Sequence, residues 1–212
     1  HNLVGDRAGG HNRYGTSGED HKDSLDGAQP MESSWNGRSI AIQYNGNLPE
    51  SEREILRDRI PLELRKDKEI GFDTNDIADA IVSSDGEDDV GRIRNGLDGI
   101  LMAYSLTILT DQGRLFGLRG PSGTWPLWVG ETDTEILFSS ETRVEKVFES
   151  KEVKWREVKP GELVEATNAG VVSRQLFEPV RESICMLHAV YGARGDSLMN
   201  ESATYFDFRK RI

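Results

Sequence analysis

Apolar and polar positions alternate in three different ways along the chain. The first 38 residues show no period and are rich in Gly, Asn, Asp and Ser. They contain Gly-Gly, Ser-Gly, Asp-Gly and Asn-Gly pairs, turn chemistry that predicts covering loops. Residues 39–44, Ser-Ile-Ala-Ile-Gln-Tyr, form a short apolar run ended by Asn45-Gly46-Asn47, which predicts a buried strand entering a tight turn. Helical spacing follows. Pro49 suits a first helical turn, where no amide donor is needed, and Glu50, Glu52 and Glu54 lie near the positive end of the helix dipole. Ile55, Leu56, Ile60, Leu62 and Leu64 supply an apolar face interrupted by Pro61. Thr74-Asn75-Asp76 offers caps before Ile77, Ala78, Ile81 and Val82, and a second short helix is expected over residues 88–97.

From residue 101 to 175 the pattern changes to strand, turn, strand. The runs cover 103–110, 114–118, 125–129, 135–138, 154–158, 163–167 and 171–175, with Asp111-Gln112-Gly113, Pro160-Gly161 and Asn168-Ala169-Gly170 as turns. These predict an antiparallel meander preceded by helices, hence an α+β fold and not a doubly wound parallel sheet. Residues 183–191 read as one more apolar strand and residues 200–212 as a helix.

Composition narrows the classes of function. A net charge of −11 without a Lys/Arg cluster provides no footprint for a phosphate backbone, so nucleic acid is not an expected partner. No apolar run approaches the roughly 18 residues of a membrane span, and no basic stretch followed by an apolar one opens the chain, so neither a membrane nor export is expected. The single cysteine, Cys185, excludes an internal disulfide framework and any multi-thiolate metal site built from this chain alone, which fits a reducing cytoplasm.

Three segments can carry chemistry. In His11-Asn12-Arg13-Tyr14-Gly15-Thr16-Ser17-Gly18, the rigid donor fork of Arg13 suits a substrate carboxylate and a nearby hydroxyl adds a directional bond; the alternative is a surface arginine in a Gly-rich turn. At Asn45-Gly46, a side-chain amide and a backbone N–H at a sharp turn can both point at one developing oxyanion, and the alternative is an ordinary hairpin. Asp73 can hold an ammonium group or simply cap a helix.

Together and in this order these segments resemble the class II glutamine amidotransferases, N-terminal-nucleophile hydrolases that release ammonia from glutamine. The nearest branch is the amidophosphoribosyltransferases of purine synthesis. Residues 11–18 are similar to the family's His-x-Arg-Tyr-x-Thr-x-Gly, Ala28-Gln29-Pro30 to its Ala-Gln-Pro, and residues 44–48 to its His-Asn-Gly-Asn-Leu with Tyr44 in place of His. Phe72-Asp73-Thr74 stands where the family has Ser-Asp-Ser, and residues 120–127 and 139–142 fall on further motifs. Residues 190–197 resemble the Val-Tyr-Phe-Ala-Arg-Pro-Asp-Ser signature that selects the branch.

The resemblance implies a four-layer αββα sandwich truncated at its N-terminal strands, with 1–180 as the glutamine domain and 181–212 as the junction and start of a phosphoribosyltransferase domain. It implies that Arg13 binds the glutamine carboxylate, that Tyr14 and Thr16 shape the loop, that Asp73 takes the α-ammonium, and that Asn45 and Gly46 form the oxyanion hole. The family's nucleophile is an N-terminal cysteine; His1 falls inside the family's domain, so that cysteine is expected in an N-terminal segment outside these residues. Truncation predicts an open sheet edge or exposed apolar surface near Ile40, Ile42 and Tyr104, which another chain would normally cover. Gly120, Trp125, Gly192 and Gly195 depart from the family's residues, and the last two predict a looser junction.

The implied partners are glutamine, the N-terminal segment, the phosphoribosyltransferase domain and a second copy in a homo-oligomer. No cofactor is expected in this chain; magnesium and an iron–sulfur cluster would accompany only the transferase domain. Two other readings are a non-catalytic glutamine-binding or assembly relative, and the glutaminase domain of a different class II amidotransferase, against which residues 190–197 argue.

Overall fold

The structure is a computed structural model describing residues 5–12, 27–65, 72–101, 103–147 and 152–212, with backbone alone at 145–147. The chain forms two compact units, His1–Ile100 with Leu106–Leu115, and Leu101–Ser105 with Phe116–Ile212.

In the first unit, β1 (Met31–Trp35) and β2 (Arg38–Gly46) pair antiparallel, with Trp35 opposite Arg38 across Asn36-Gly37. Both turn residues have positive φ, 49° and 76°, the conformation a two-residue hairpin needs and Asn-Gly supplies at least cost. The expectation of loops through residue 38 is therefore corrected. Met-Glu-Ser-Ser-Trp has no apolar alternation to announce a strand. It is held by the turn, by the β2 ladder, and by a hydrogen bond from the Ser33 hydroxyl to Asp79 on the helix beneath.

β2 alternates, placing Ile40, Ile42 and Tyr44 in the core. Helices α1 (Glu50–Arg59), α2 (Leu62–Arg65), α3 (Asp73–Ser83) and α4 (Asp89–Leu97) follow, near the expected positions. Pro49 is the N-cap of α1, and the Asp88 carboxylate caps α4 by accepting the Gly91 N–H at 2.8 Å. Of the expected α1–α2 apolar face, Leu56 and Ile60 are buried, whereas Ile55 and Leu62 are exposed. α3 packs on β1, β2 and α4, burying Ile77, Ala78, Ala80, Ile81 and Val82; each such burial contributes about 1.5–3 kcal/mol for the larger side chains. The strand β3 (Tyr104–Thr110) lies beside β2 in the order β1-β2-β3. Ile40, Ile42 and Tyr104 are 8%, 0% and 1% exposed, so of the two expected outcomes, an open sheet edge or bare apolar surface, the second is not found there. The β1–β2 hairpin and α3 supply the cover for Ile40 and Ile42.

The second unit contains β4 (Leu115–Arg119), β5 (Trp128–Glu131), β6 (Ile136–Ser139), β7 (Lys154–Glu157), β8 (Glu162–Thr167) and β9 (Gly170–Gln175), all close to the expected runs. They do not form one meander. β4-β8-β9 are neighbours, while β5 pairs antiparallel with both β6 and β7 in a separate sheet ordered β6-β5-β7. Leu127, Val129, Val158 and Val164 form a core with Ile136, Phe138 and Val171 against it.

Two further expectations fail here. Residues 183–191 are not a strand: the chain is irregular to Cys185 and then turns through a π-helical segment, His188–Gly192, closed by Ala193 N–H to His188 O at 2.8 Å. Among the described residues no sheet ladder takes it up, although the Ser183 N–H donates to the Ser122 carbonyl at 3.1 Å, and within that turn only Ala189 is buried. The expected helix over 200–212 shrinks to α5 (Tyr205–Arg209), because β10 (Leu198–Asn200) and β11 (Ala203–Thr204) form a small hairpin first. A capping box, Thr204 with Asp207, starts the helix at Tyr205.

Candidate functional site

The candidate site lies in the first unit, where β2 ends and α3 begins. The predicted tight turn at Asn45-Gly46-Asn47 is corrected: β2 runs extended through Gly46, and Gly46 is not among the glycines with positive φ. Extended backbone leaves Asn45 and Gly46 half-buried beyond the deeply buried Tyr44. The Asn45 side chain is not engaged by any described residue.

Gln29 grips the backbone immediately before them. Its Oε1 accepts the Tyr44 N–H at 2.6 Å and its Nε2 donates to the Tyr44 carbonyl at 3.2 Å, so one side chain does what a neighbouring strand would do. Asp73 grips the backbone after them. Its Oδ2 accepts the Leu48 N–H at 3.2 Å and its Oδ1 accepts the Thr74 N–H at 3.0 Å. As the first residue of α3, its charge also faces the positive end of the helix dipole. The Tyr44 phenol hydrogen-bonds the same carboxylate. Burial first, and then the Asp73 and Glu52 charges, push that phenol far above its ordinary range, so Tyr44 is a neutral donor at every working pH.

The structure thus brings Asn45, Gly46 and Asp73 to one place. Arg13, Tyr14 and Thr16 lie outside the described residues. The segment before them is described: Gly9 lies where any side chain would collide with the Gln43 amide, whose Oε1 accepts the Thr107 hydroxyl. Gln43 is the neighbour of Tyr44 on the opposite face of β2.

Sequence reasoning missed Gln29 and Tyr44 as members of this arrangement. A glutamine in a Gly-rich segment carries no local signal for a contact 15 positions away. Asp73 is the first residue of α3 and not its cap, which is Phe72; its carboxylate accepts the adjacent Thr74 N–H, so the helix-cap alternative for Asp73 is not met.

Other polar clusters have structural explanations. Arg119, with its side chain 7% exposed, donates to the carbonyls of Trp125, Val158 and Gly123 at 3.1, 2.9 and 2.6 Å and pairs with Glu157 at 2.8 Å. Burial raises the Glu157 carboxyl while Arg119 opposes the shift. The Cys185 sulfur accepts the His188 N–H at 3.5 Å and the thiol is free, an ordinary packed cysteine. A small recess lined by Arg38, Asp89, Arg92 and Asp111 opens at the other end of β2 and holds neither Asn45 nor Asp73. Among the described residues, no three His, Cys, Asp or Glu are grouped to hold a metal, and no helix is long and apolar enough to cross a membrane.

No family model matches the chain. Curated relatives do. The chain is 33% identical over 215 residues to an amidophosphoribosyltransferase of Synechocystis sp., covering 99% of this chain and 42% of that protein. It is 29% identical to the amidophosphoribosyltransferase of Methanocaldococcus jannaschii, covering all of this chain and 46% of that one, and 30% identical to that of Homo sapiens, covering 92% and 41%. The chain therefore spans about two fifths of the length of the curated relatives it matches. Among solved structures, the glutamine phosphoribosylpyrophosphate amidotransferase of B. subtilis superposes with a TM-score of 0.71 at 27% identity, over 86% of this chain and 39% of that one. A glutamine aminotransferase class-II domain protein from Silicibacter pomeroyi shares the fold over 66% of this chain, with a TM-score of 0.51 at 19% identity and 68% of its own chain covered.

Proposed function

We propose that this chain, homologous over nearly its whole length to amidophosphoribosyltransferases, is the glutamine-binding, ammonia-donating part of a protein of that kind in purine nucleotide synthesis. The observation that carries the reading is the meeting of Asp73 with the segment Asn45 to Leu48, fastened by Leu48 N–H to Asp73 Oδ2 at 3.2 Å. A carboxylate has about four acceptor positions. Among the described residues, the N–H groups of Leu48 and Thr74 and the Tyr44 hydroxyl occupy three, leaving one for an ammonium hydrogen. Asn45 and Gly46, half-buried beside it, supply a side-chain amide and a backbone N–H for the oxygen of a substrate amide.

In this reading Arg13 clamps the glutamine carboxylate through its bidentate fork, with Tyr14 and Thr16 shaping the loop around it. Asp73 takes the α-ammonium. The thiol of an N-terminal cysteine outside these 212 residues passes its proton to its own α-amino group and its sulfur attacks the side-chain amide carbon. The oxygen gains negative charge against Asn45 and Gly46, the C–N bond breaks as the carbonyl re-forms, the ammonium returns the proton so that ammonia leaves, and water hydrolyses the thioester to glutamate. The fold would be the αββα sandwich of N-terminal-nucleophile hydrolases, with 1–180 as the glutamine domain and 181–212 as the junction to a phosphoribosyltransferase domain. Magnesium or an iron–sulfur cluster would belong to that further domain, a homo-oligomer to the whole protein, and the cytoplasm is the compartment that one free cysteine fits.

A second reading, a glutamine-binding relative without chemistry, is favoured by one observation: the chain's single cysteine is held by the backbone of its own π-turn and has no role at Asn45 or Asp73. Calorimetric titration with glutamine tests what the two share. Wild type should bind, while Arg13→Ala and Asp73→Asn should each weaken binding by a few kcal/mol, roughly two orders of magnitude in Kd. Unchanged affinity in both variants would refute the site.

A further inference from the structure

Four hydrogen bonds link the two ends of the segment that carries Asn45 and Gly46. At one end, the Gln29 amide holds both the N–H and the carbonyl of Tyr44, at 2.6 and 3.2 Å. At the other end, the Leu48 N–H is held by Asp73 at 3.2 Å. The Tyr44 side chain closes the circuit by bonding that same carboxylate. Tyr44 and Leu48 are both buried, so neither end moves without disturbing packed side chains. Between these anchors, Asn45 and Gly46 stay half-exposed at the end of β2, which lies beside β3 in the sheet.

The geometry points to Gln29 and Tyr44 as positioning residues, through which an ammonium bound at Asp73 orients the amide-binding donors of Asn45 and Gly46. This rests on the glutamine-binding reading above and deepens it. Asp73 is the shared element: the carboxylate that would take the ligand's charge also holds Leu48 and receives Tyr44. A cation arriving at Asp73 shares the carboxylate with the Leu48 N–H and the Tyr44 hydroxyl and limits its rotamer, so its binding is felt at Leu48, two residues from Gly46. A phenol suits the closing position because its suppressed ionisation keeps it a donor, where a group that titrates near neutrality would couple the circuit to pH.

The two residues should fail differently. Gln29 acts on backbone common to any ligand presenting an amide, whereas the Tyr44 hydroxyl acts only through Asp73. The test titrates the chain with glutamine and with its analogue lacking the α-amino group, 5-amino-5-oxopentanoate, and follows the backbone amide resonances of Gly46 and Leu48 by NMR.

Gln29→Ala should weaken both ligands equally, roughly three- to tenfold for a lost hydrogen bond. Tyr44→Phe, which keeps the buried ring, should weaken glutamine by a similar factor, spare the analogue, and move the Gly46 and Leu48 resonances. Equal loss for both ligands in Tyr44→Phe, or Gly46 and Leu48 resonances left at wild-type positions, would overturn the inference while wild-type glutamine binding keeps the proposed function intact. If wild type binds neither ligand, the proposed function fails and the inference that rests on it fails with it.

Discussion

The two glycines of α4 should respond with opposite sign to the same substitution. In a helix interior alanine is favoured over glycine by about 1 kcal/mol, so propensity alone predicts that Gly91→Ala and Gly96→Ala both stabilise. The surroundings differ. A Cβ at Gly91 would lie 3.4 Å from Asp88 Oδ1 and 3.4 Å from Gly86 Cα, which is ordinary contact. A Cβ at Gly96 would lie 2.8 Å from Ile81 Cα, 2.9 Å from Ala80 O and 3.0 Å from Ile81 N, all backbone of α3. Backbone cannot rotate aside, so α4 must retreat by roughly half an ångström and loosen the packing of buried Ile93 and Leu97.

Overpacking of this kind costs about 1–3 kcal/mol, of which alanine's propensity offsets about 1. The net is about 0–2 kcal/mol lost at Gly96 against about 1 gained at Gly91. With a urea slope of about 2 kcal/mol per M, the unfolding midpoint should fall by up to about 1 M in Gly96→Ala and rise by about half a molar in Gly91→Ala. Because α3 starts at Asp73, Gly96→Ala should also weaken glutamine binding. If both midpoints rise, helix packing does not limit this contact and the reasoning fails.

Arg119→Met should destabilise by about 3–5 kcal/mol, since it strands three carbonyls and the partly buried Glu157 carboxylate; urea unfolding checks this, and a loss under 1 kcal/mol would contradict the buried arginine's role. Burial between the edges of Trp125 and Tyr205 holds the His188 imidazole below its ordinary 6.5, with Glu141 opposing and Arg209 reinforcing. The unfolded chain therefore takes that proton first as pH falls, so stability is full above about 6.5 and declines below it. Melting curves should show that decline in wild type and a flatter one in His188→Gln; identical slopes would remove His188 as the cause. Gly37→Ala should cost about 1–2 kcal/mol through its φ of 76° alone, because open space surrounds its Cβ position. Finally, the 212-residue chain should release no ammonia from glutamine above background, and release that survives Cys185→Ser would show a nucleophile outside the proposed mechanism.

The strands β3 to β9 were legible because their signals are local: apolar runs end at turns whose glycines, Gly113, Gly161 and Gly170, have positive φ of 69°, 74° and 109°. The Asp88 cap and the Pro49 start were legible for the same reason, since a helix end is satisfied by residues three or four positions away. Order in the motifs was legible too, and with it the resemblance that the comparisons bear out over nearly the whole chain.

What the chain alone could not disclose was decided by partners distant in sequence. Polar β1 is a strand because β2 and Asp79 meet it, and apolar 183–191 is not one because, among the described residues, no sheet ladder takes it up. β5 sits between β6 and β7 by pairing with both, a choice no turn dictates. At the candidate site, Asn45 and Asp73 could be nominated from residue type, but Gln29 and Tyr44 could not. Their contribution is a set of hydrogen bonds spanning 15 and 29 positions, and such bonds form only after packing has paid the entropy of bringing their ends together.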